Sequence, residues 1–478
     1  MAQRIFSVRS ATIRGVEAVP VAVEVVISNG IPSFSIVGMP DAAIQESRER
    51  IRSALRASGF TMPSDKIVVN LAPGALRKSG SGFDLPIALG LLAATGQIDP
   101  ALVDGALVVG ELSLGGDVRS VRGMLAFEKC AQDEGLRLMG GALDAQGIAL
   151  EGLEVLLLER LSHIRQARFT SLPSRVQPDF RARLDFVDVV GHEVAKRALQ
   201  VAAAGRHGVI MVGPPGSGKT MLAQRFASIL PELSEAERIE AALVHSVAGE
   251  DAESVLAGIR PFRAPHHSAT AAGLIGGGSP PRPGEAALAH RGTLFLDELA
   301  EFSSSVLQTL RQPLESGLIR LTRADGVYTF PARFQLLAAT NPCPCGYYGD
   351  PSGKCTCSAS AVQAYQNRIG GPLLDRIDVR IDVWRGEGRE LMRGEVGLSS
   401  DSLREGVERA RSFAARRFDA SVEEFFLSLT EAHCMSARAI AKTLSLARTL
   451  GDLAEKESVG TEEVAEAFGL RFGGGWDS

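Results

Sequence analysis

The stretch Gly213-Pro214-Pro215-Gly216-Ser217-Gly218-Lys219-Thr220 follows an apolar run, Val209 to Val212, and leads into a helical pattern from Met221 to Leu230. A glycine-rich loop between a buried strand and a helix start is the pattern of a P-loop, and this order of elements is the context the pattern requires. The glycines let successive backbone N–H groups curl around phosphates, and the helix N-terminus adds a positive dipole end. Lys219 is placed to reach the outer phosphates, the Thr220 hydroxyl to ligate Mg²⁺, and Gly213 through Met221 together form the expected ATP-binding segment. A chance glycine-rich turn would not carry the strand and helix on either side. The feature therefore commits this part of the chain to an α/β fold, a parallel sheet wound by helices.

The rest of a hydrolytic site can be sought downstream. Leu294-Phe295-Leu296-Asp297-Glu298 is a buried strand ending in two carboxylates. Asp297 is the candidate for the Mg²⁺ water shell and Glu298 for polarising the attacking water. An acidic pair after a strand is otherwise a solvated strand end, so the assignment leans on the P-loop. Asn341 ends the apolar run Phe334 to Ala339 plus Thr340, where a neutral amide could orient water beside the γ-phosphate; starting a turn before Pro342 is its other reading. Arg376, in Gly371 to Asp378, lies far along the chain and suits an arginine supplied in trans to a neighbour's γ-phosphate. Arg438 starts a late helix and could contact the phosphates within its own chain. For both, a surface ion pair is the competing reading. A trans arginine makes a head-to-tail interface, which closes into a ring or grows as a filament.

A chain of 478 residues calls for about three domains at roughly 150 residues each. Residues 1–165 alternate short β-branched runs (Val19 to Ile27, Lys66 to Leu71, Ala106 to Val109, Glu154 to Leu158) with helical patterns at Asp41 to Ser58 and Leu85 to Thr95, an α+β domain. Residues 166–184 have linker composition. Residues 185–385 hold the nucleotide-binding pattern. In residues 386–478 no strand signal survives: Leu403 to Phe418, Ser421 to Leu429, Ser436 to Asp452 and Thr461 to Phe468 read as helices of a small lid. With 51 Lys and Arg against 56 Asp and Glu, a formal charge of −5, a generally basic nucleic-acid coat is excluded and any such site must be a local patch. No apolar run is long enough for a membrane span, and the opening Met-Ala-Gln-Arg-Ile-Phe lacks a signal-peptide layout, so the expected location is cytoplasmic.

Four of the six cysteines crowd between Cys343 and Cys357. Cys343, Cys345, Cys355 and Cys357 offer four thiolates, the number a tetrahedral Zn²⁺ takes. The spacing of one residue within each pair is tighter than the commoner two to four, and free thiols or a redox pair stay open as alternatives. Because the cluster follows Asn341, a metal there would brace the loop beside the water-orienting residue.

Taken with Arg260-Pro-Phe-Arg-Ala-Pro-His-His-Ser268, Pro283-Gly-Glu285, Ala289-His-Arg-Gly292 and Asn341-Pro-Cys-Pro-Cys-Gly-Tyr-Tyr-Gly-Asp350, these motifs resemble the AAA+ ATPases of the magnesium-chelatase-like branch, and within it the competence-associated ComM (YifB-type) proteins. The resemblance covers essentially the whole chain. It implies an insertion from Arg260 to Gly284 in the second helix of the ATPase core and a β-hairpin from Leu318 to Phe330, both facing a ring's central channel. It further implies a hexameric ring that drives branch migration on branched or strand-exchange DNA during homologous recombination in natural transformation. Arg260, Arg263, His266 and His267 on the insertion, with Arg320 and Arg323 on the hairpin, could meet DNA phosphates; solvated loop charges are the plainer reading. A chelatase-like motor remodelling a protein partner, and a regulator of proteolysis, are the alternative functions.

The last alternative arises because residues 1–165 resemble the proteolytic domain of Lon in Asn70 to Gly74, Lys78 to Asp84 and Gly110 to Val118. By that pattern the nucleophile falls near Gly82 or Phe83 and its lysine near Met124 or Leu125, none of which can attack or accept a proton. Ser81 and Lys129 lie nearby, so a shifted alignment still offers a serine and a lysine. The expectation is a protease-like fold without the catalytic dyad.

Overall fold

The computed structural model describes residues 4–141, 150–170, 184–350, 353–385, 397–413 and 417–473. The first domain is a seven-stranded mixed sheet in the order Ser33–Val37, Lys66–Ala72, Glu17–Ser28, Arg4–Arg14, Ala106–Val109, Arg137–Gly141 and Val155–Leu158. Alternation dictates its pairing: Val21, Val23, Val25 and Ile27 of Glu17–Ser28 are all buried, so one face of that strand must be covered. Helix Asp84–Ala94 covers it, and a Cβ on Gly90 would come within 2.7 Å of Val25 Cγ2; a residue without a side chain lets the helix lie close to the sheet. Helix Ala42–Ala57 starts where Asp41 accepts from Ile44 N–H, a cap worth about 1 kcal/mol. The strands expected at Lys66 to Leu71 and Ala106 to Val109 are present. Arg4–Arg14, Ser33–Val37 and Arg137–Gly141 had no strong sequence signal, because their buried positions alternate with arginine and serine or include glycine.

The second domain carries a five-stranded parallel sheet in the order Phe262–Arg263, Thr293–Leu296, Gln335–Thr340, Val209–Val212, Val379–Asp382. Its three central strands are buried at every position, as strands with both faces covered must be. Helices Glu193–Gly205 and Lys219–Phe226 pack Leu199, Leu222 and Phe226 against Phe295 and Leu337. The helix expected to run to Leu230 ends at Phe226 and tightens into a 3₁₀ turn, Ala227–Ile229. Pro231 forces the residue before it out of helical geometry, and Leu230 is extended. The insertion from Arg260 is built rather than loose: strand Phe262–Arg263, helix Ala271–Ile275 and the paired segments Gly276–Gly277 and Arg282–Pro283. The expected hairpin is formed by Leu318–Arg323 and Gly326–Pro331.

Helices Ser400–Ser412, Ala420–Ala432, Ala437–Leu453 and Thr461–Phe472 close the chain. Ser399 and Ser436 cap the first and third, and Val407, Leu446 and Leu450 pack into the ATPase core. Two expectations are corrected here. The helix drawn to Phe418 ends at Ser412, and strand pairing does occur beyond residue 386, between Arg417–Phe418 and Ser458–Val459. Two-residue strands carry no periodicity to read. Residues 171–183 of the expected linker, and residues 386–396 at the boundary before the lid, lie outside the described residues.

The first domain docks on the second through side chains far apart in sequence. Leu125 shares an apolar cluster with Leu233, Ala241 and Leu256. Arg14 donates to the Asp325 carbonyl at the hairpin tip (3.4 Å) and lies over the Tyr328 ring, while Arg77 reaches the Asp325 carboxylate at 3.5 Å. Among the described residues no helix is long and apolar enough to cross a membrane.

Candidate functional site

The P-loop leaves the C-terminal end of Val209–Val212 beside Val379–Asp382. A Cβ on Gly213 would lie 2.0 Å from the Val383 carbonyl oxygen, and Gly216 and Gly218 hold φ of +74° and +91°, so these positions need glycine. Lys219 is buried. Its Nζ donates to the Gly213 and Pro214 carbonyls (2.7 and 2.9 Å) and to Asn341 Oδ1 at 3.4 Å. Burial pushes its pKa down to about 8, against the pull of Asp297. The Thr220 hydroxyl donates to Asp297 Oδ2 at 2.8 Å, and Asp297 Oδ1 accepts from Glu298 N–H at 2.9 Å. Lys219, Thr220, Asp297, Glu298 and Asn341, which span 123 positions, thus converge on one loop. Ser217 Oγ is buried with no hydrogen-bond partner among the described residues. A loop-capped ammonium, an orphaned hydroxyl and a hydroxyl–carboxylate pair fit a Mg-nucleotide, whose metal would add positive charge opposite the leaving phosphate.

Glu298 itself sits in the left-handed region, φ +52°, a conformation that costs a non-glycine residue energy and recurs at functional sites. Its Oε2 lies 3.0 Å from His267 Nδ1. The turn therefore ties the candidate general base to the insertion.

The two candidate arginines meet at a residue that sequence reasoning missed. Arg376 donates to Glu315 and to the Pro372 carbonyl, and Arg438 donates to the same Glu315 oxygen at 3.1 Å. Lys442, one turn on from Arg438, donates to Arg376 O and pairs with Asp378, and Asp378 accepts from Gly208 N–H at 3.0 Å. Gly208 precedes the first strand residue, whereas the P-loop follows the last. The two arginines are therefore a strand length, roughly 13 Å at about 3.3 Å per residue, from their own P-loop. This corrects the expectation that Arg438 reaches the phosphates of its own chain: it stands with Arg376 at the opposite end of the strand.

The four cysteines of the cluster do come together. All four Sγ atoms lie within 4.8 Å of one another, with Cys343 to Cys345 at 3.3 Å, Cys343 to Cys355 at 3.8 Å and Cys345 to Cys355 at 3.7 Å. A tetrahedron of sulfurs about 2.3 Å from zinc has edges of about 3.8 Å, so the donors fit that ion. Backbone N–H groups of Thr356 and Tyr347 pull the Cys345 thiol down to about 6. The loop rests on the P-loop: a Cβ on Gly346 would meet Pro215 Cδ at 2.6 Å, and Arg385 donates to the Pro215 carbonyl (2.9 Å) while lying over the Tyr347 ring.

Three family profiles match the chain: "Magnesium chelatase, subunit ChlI" over residues 185–391, "Subunit ChlI of Mg-chelatase" over 23–139, and "Magnesium chelatase, subunit ChlI C-terminal" over 417–471. Competence protein ComM of Haemophilus influenzae is 39% identical over 487 aligned positions, covering 96% of this chain and 95% of its own length. An uncharacterised protein of Mycobacterium tuberculosis, Rv2897c, is 39% identical with 97% of each chain covered, and YifB of Escherichia coli is 37% identical, covering 96% of this chain and 95% of itself. The chain belongs to the ComM/YifB-type, magnesium-chelatase-like AAA+ family.

For a member of this AAA+ family, the basic residues of the insertion and hairpin divide into two groups. Arg260 is not on a free loop: its Nε and Nη1 donate to the Pro231 and Arg291 carbonyls, both at 2.6 Å. Arg263 is taken up by Glu285 and Glu250 at 2.7 and 2.8 Å. Arg263 is corrected from a candidate DNA contact to an internal ion pair, and Arg260 is anchored by carbonyls, for a reason the local sequence hides: the acceptors come from Pro231, Glu250, Glu285 and Arg291, which the fold brings beneath the insertion. His266 is exposed and stacks on His267 with ring centroids 4.0 Å apart. Arg320 and Arg323 are exposed on the hairpin.

In the first domain the positions expected for the dyad are packed side chains: Phe83, Met124 and Leu125 are buried. A Cβ on Gly82 would meet Val109 and Val121 at 3.1 and 3.6 Å. Ser81 donates to Glu111 and Lys129 pairs with Asp133, so the shifted serine and lysine each have another partner. Besides Glu315, the sequence reading passed over Arg385, whose Pro215 contact has no motif, and His192. The His192 ring lies 3.5 Å from where a Cβ on Gly218 would sit, and its place just after Gly191 at a helix start was the one available signal.

Proposed function

We propose that this protein is a Mg-ATP-hydrolysing ring motor that acts on DNA, a branch-migration helicase serving homologous recombination in natural transformation. The observation that supports it most is the division of the nucleotide site. Lys219, Thr220, Asp297 and Glu298 stand at the C-terminal ends of the parallel strands, whereas Arg376 and Arg438 meet on Glu315 by the opposite, N-terminal end of Val209–Val212. Repeated head to tail, the two halves complete each other, and the repeat closes as a ring, with six subunits as the expected number. In each site Lys219 would trade its carbonyl acceptors for phosphate oxygens, Thr220 and Asp297 would hold Mg²⁺, Asn341 would hold the attacking water and Glu298 would take its proton. ComM, named as a competence protein, supplies the link to transformation.

Coupling to DNA would run through the insertion, since His267 touches Glu298 while His266 beside it faces solvent. His267→Ala is expected to raise DNA-free hydrolysis about fivefold, the equivalent of the ~1 kcal/mol an exposed pair contributes, and to reduce the further increase on adding DNA. Equal basal rates and equal stimulation in variant and wild type would detach the insertion from hydrolysis.

The deciding experiment is ATP hydrolysis with and without forked or four-way-junction DNA. Strong stimulation that falls steeply with added salt, together with ATP-dependent strand displacement, is the expected result; no response to any DNA would favour the second reading. That reading, remodelling of a protein partner, draws on the chelatase profiles that match all three domains. The cysteine cluster is proposed to hold a structural zinc that braces Asn341 and Pro215. Metal analysis is expected to find about one zinc per chain, and chelation to lower hydrolysis; protein with full activity and no zinc would exclude the assignment.

A further inference from the structure

At the strand ends opposite the P-loop, below Gly292 and Gln335, a recess of about 260 Å³ is lined by five arginines, Arg206, Arg260, Arg291, Arg333 and Arg411, and by one carboxylate, Glu237. That carboxylate is taken: Glu237 accepts from Arg291 at 3.0 Å, and Arg291 also pairs with Glu240 at 2.7 Å. Among the described residues no carboxylate forms an ion pair with Arg206, Arg260, Arg333 or Arg411. Arg260 is held by the Pro231 and Arg291 carbonyls, and Arg411 by those of Ala203 and Ala204 at 2.6 and 3.3 Å. Carbonyls fix a guanidinium's orientation without neutralising it, and each guanidinium has five N–H donors, so both keep donors for a ligand.

The electrostatics agree with that geometry. Burial, with Arg206 and Arg291 nearby and Glu237 in partial opposition, brings Arg260 down to about 10; burial, with Arg206 and Arg260, does the same to Arg411. Two buried guanidiniums, Arg260 and Arg411, that pair with no carboxylate among the described residues are costly, and an anion with several acceptor oxygens, reached also by the exposed Arg206 and Arg333, relieves the cost. Guanidinium forks match phosphoryl oxygens two at a time. The volume lies below the roughly 300 Å³ at which pockets begin to hold drug-sized molecules, which suits a phosphate or diphosphate group and not a whole nucleotide.

We propose that this recess is a phosphoryl-oxyanion site, separate from the nucleotide site, whose ligand is either free phosphate or diphosphate or a backbone phosphate of a DNA strand. Its lining includes neither Arg376 nor Arg438. The proposal does not depend on the motor reading, because its readout is anion binding.

The test uses the full chain with the P-loop filled by Mg²⁺ and a non-hydrolysable ATP analogue, titrated with radiolabelled inorganic phosphate and with pyrophosphate. Saturable binding is expected, weakened at least tenfold in the double variant Arg206→Glu, Arg333→Glu, whose two sites are exposed and whose melting temperature should stay close to wild type. Should that variant unfold, Arg333→Gln alone is expected to weaken binding by a smaller factor. Displacement of the phosphate by an oligothymidylate identifies a DNA phosphate as the ligand, and lack of displacement identifies free phosphate. Either supports the site. Absence of saturable binding with the P-loop filled, or equal affinity in the folded variants, overturns it.

Discussion

Glu298→Gln is expected to leave Mg-ATP bound and to slow its hydrolysis by about 10²- to 10⁴-fold, the usual contribution of a positioned general base. The amide keeps the size of the side chain and its backbone geometry but cannot take a proton from water. Asp297 and Thr220 stay paired at 2.8 Å, so nucleotide affinity should change little. Single-turnover hydrolysis and equilibrium binding of a fluorescent ATP analogue separate the two effects. Hydrolysis within tenfold of wild type would remove Glu298 from the role and leave the water to Asn341.

Arg376→Ala carries the other large effect, a loss of roughly 10³- to 10⁵-fold if its guanidinium stabilises charge on a neighbour's γ-phosphate. Geometry makes the experiment sharper than a single rate. Because Arg376 stands at the strand end away from its own P-loop, Arg376→Ala subunits keep an intact P-loop and Lys219→Ala subunits keep an intact arginine. Mixing the two inactive proteins should restore hydrolysis at the interfaces where the intact halves meet, roughly a quarter of them in randomly mixed rings. No recovery on mixing, with assembly verified, would place the arginine outside the neighbour's site. Arg438→Ala tests the shared anchor: Glu315 holds both arginines, so losing one frees the carboxylate to bind the other more tightly, and a smaller loss is expected.

Parts of the site were legible because they are short-range. The P-loop, the acidic strand end and the four cysteines each lie within 15 consecutive positions or fewer, where spacing alone restricts geometry. All four lid helices lie where an amphipathic period and, at Ser421, Ser436 and Thr461, a serine or threonine start mark them; the failure at Phe418 came where the chain leaves the first helix for a two-residue strand. Arg260 and Arg263 show the opposite limit. Read along the chain they are charges in a Pro- and Gly-rich loop, but the partners that take them up are brought in by helices Glu235–Ala248 and Glu285–Leu288 and by the turn at Pro231. Charge on a loop does not say whether the loop is folded back on carboxylates.

By itself the sequence determined that a P-loop pattern is present and that Gly82, Phe83, Met124 and Leu125, not a serine and a lysine, fill the positions expected for a first-domain dyad, because both depend on which side chains exist at adjacent positions. Only the tertiary structure decided that Arg438 stands with Arg376 on Glu315, that His267 touches Glu298, that the hairpin tip is held by Arg14 and Arg77, and that five arginines enclose one recess. Each of these joins residues tens to hundreds of positions apart. The packing of helices on a parallel sheet sets such distances, and local periodicity carries no record of them.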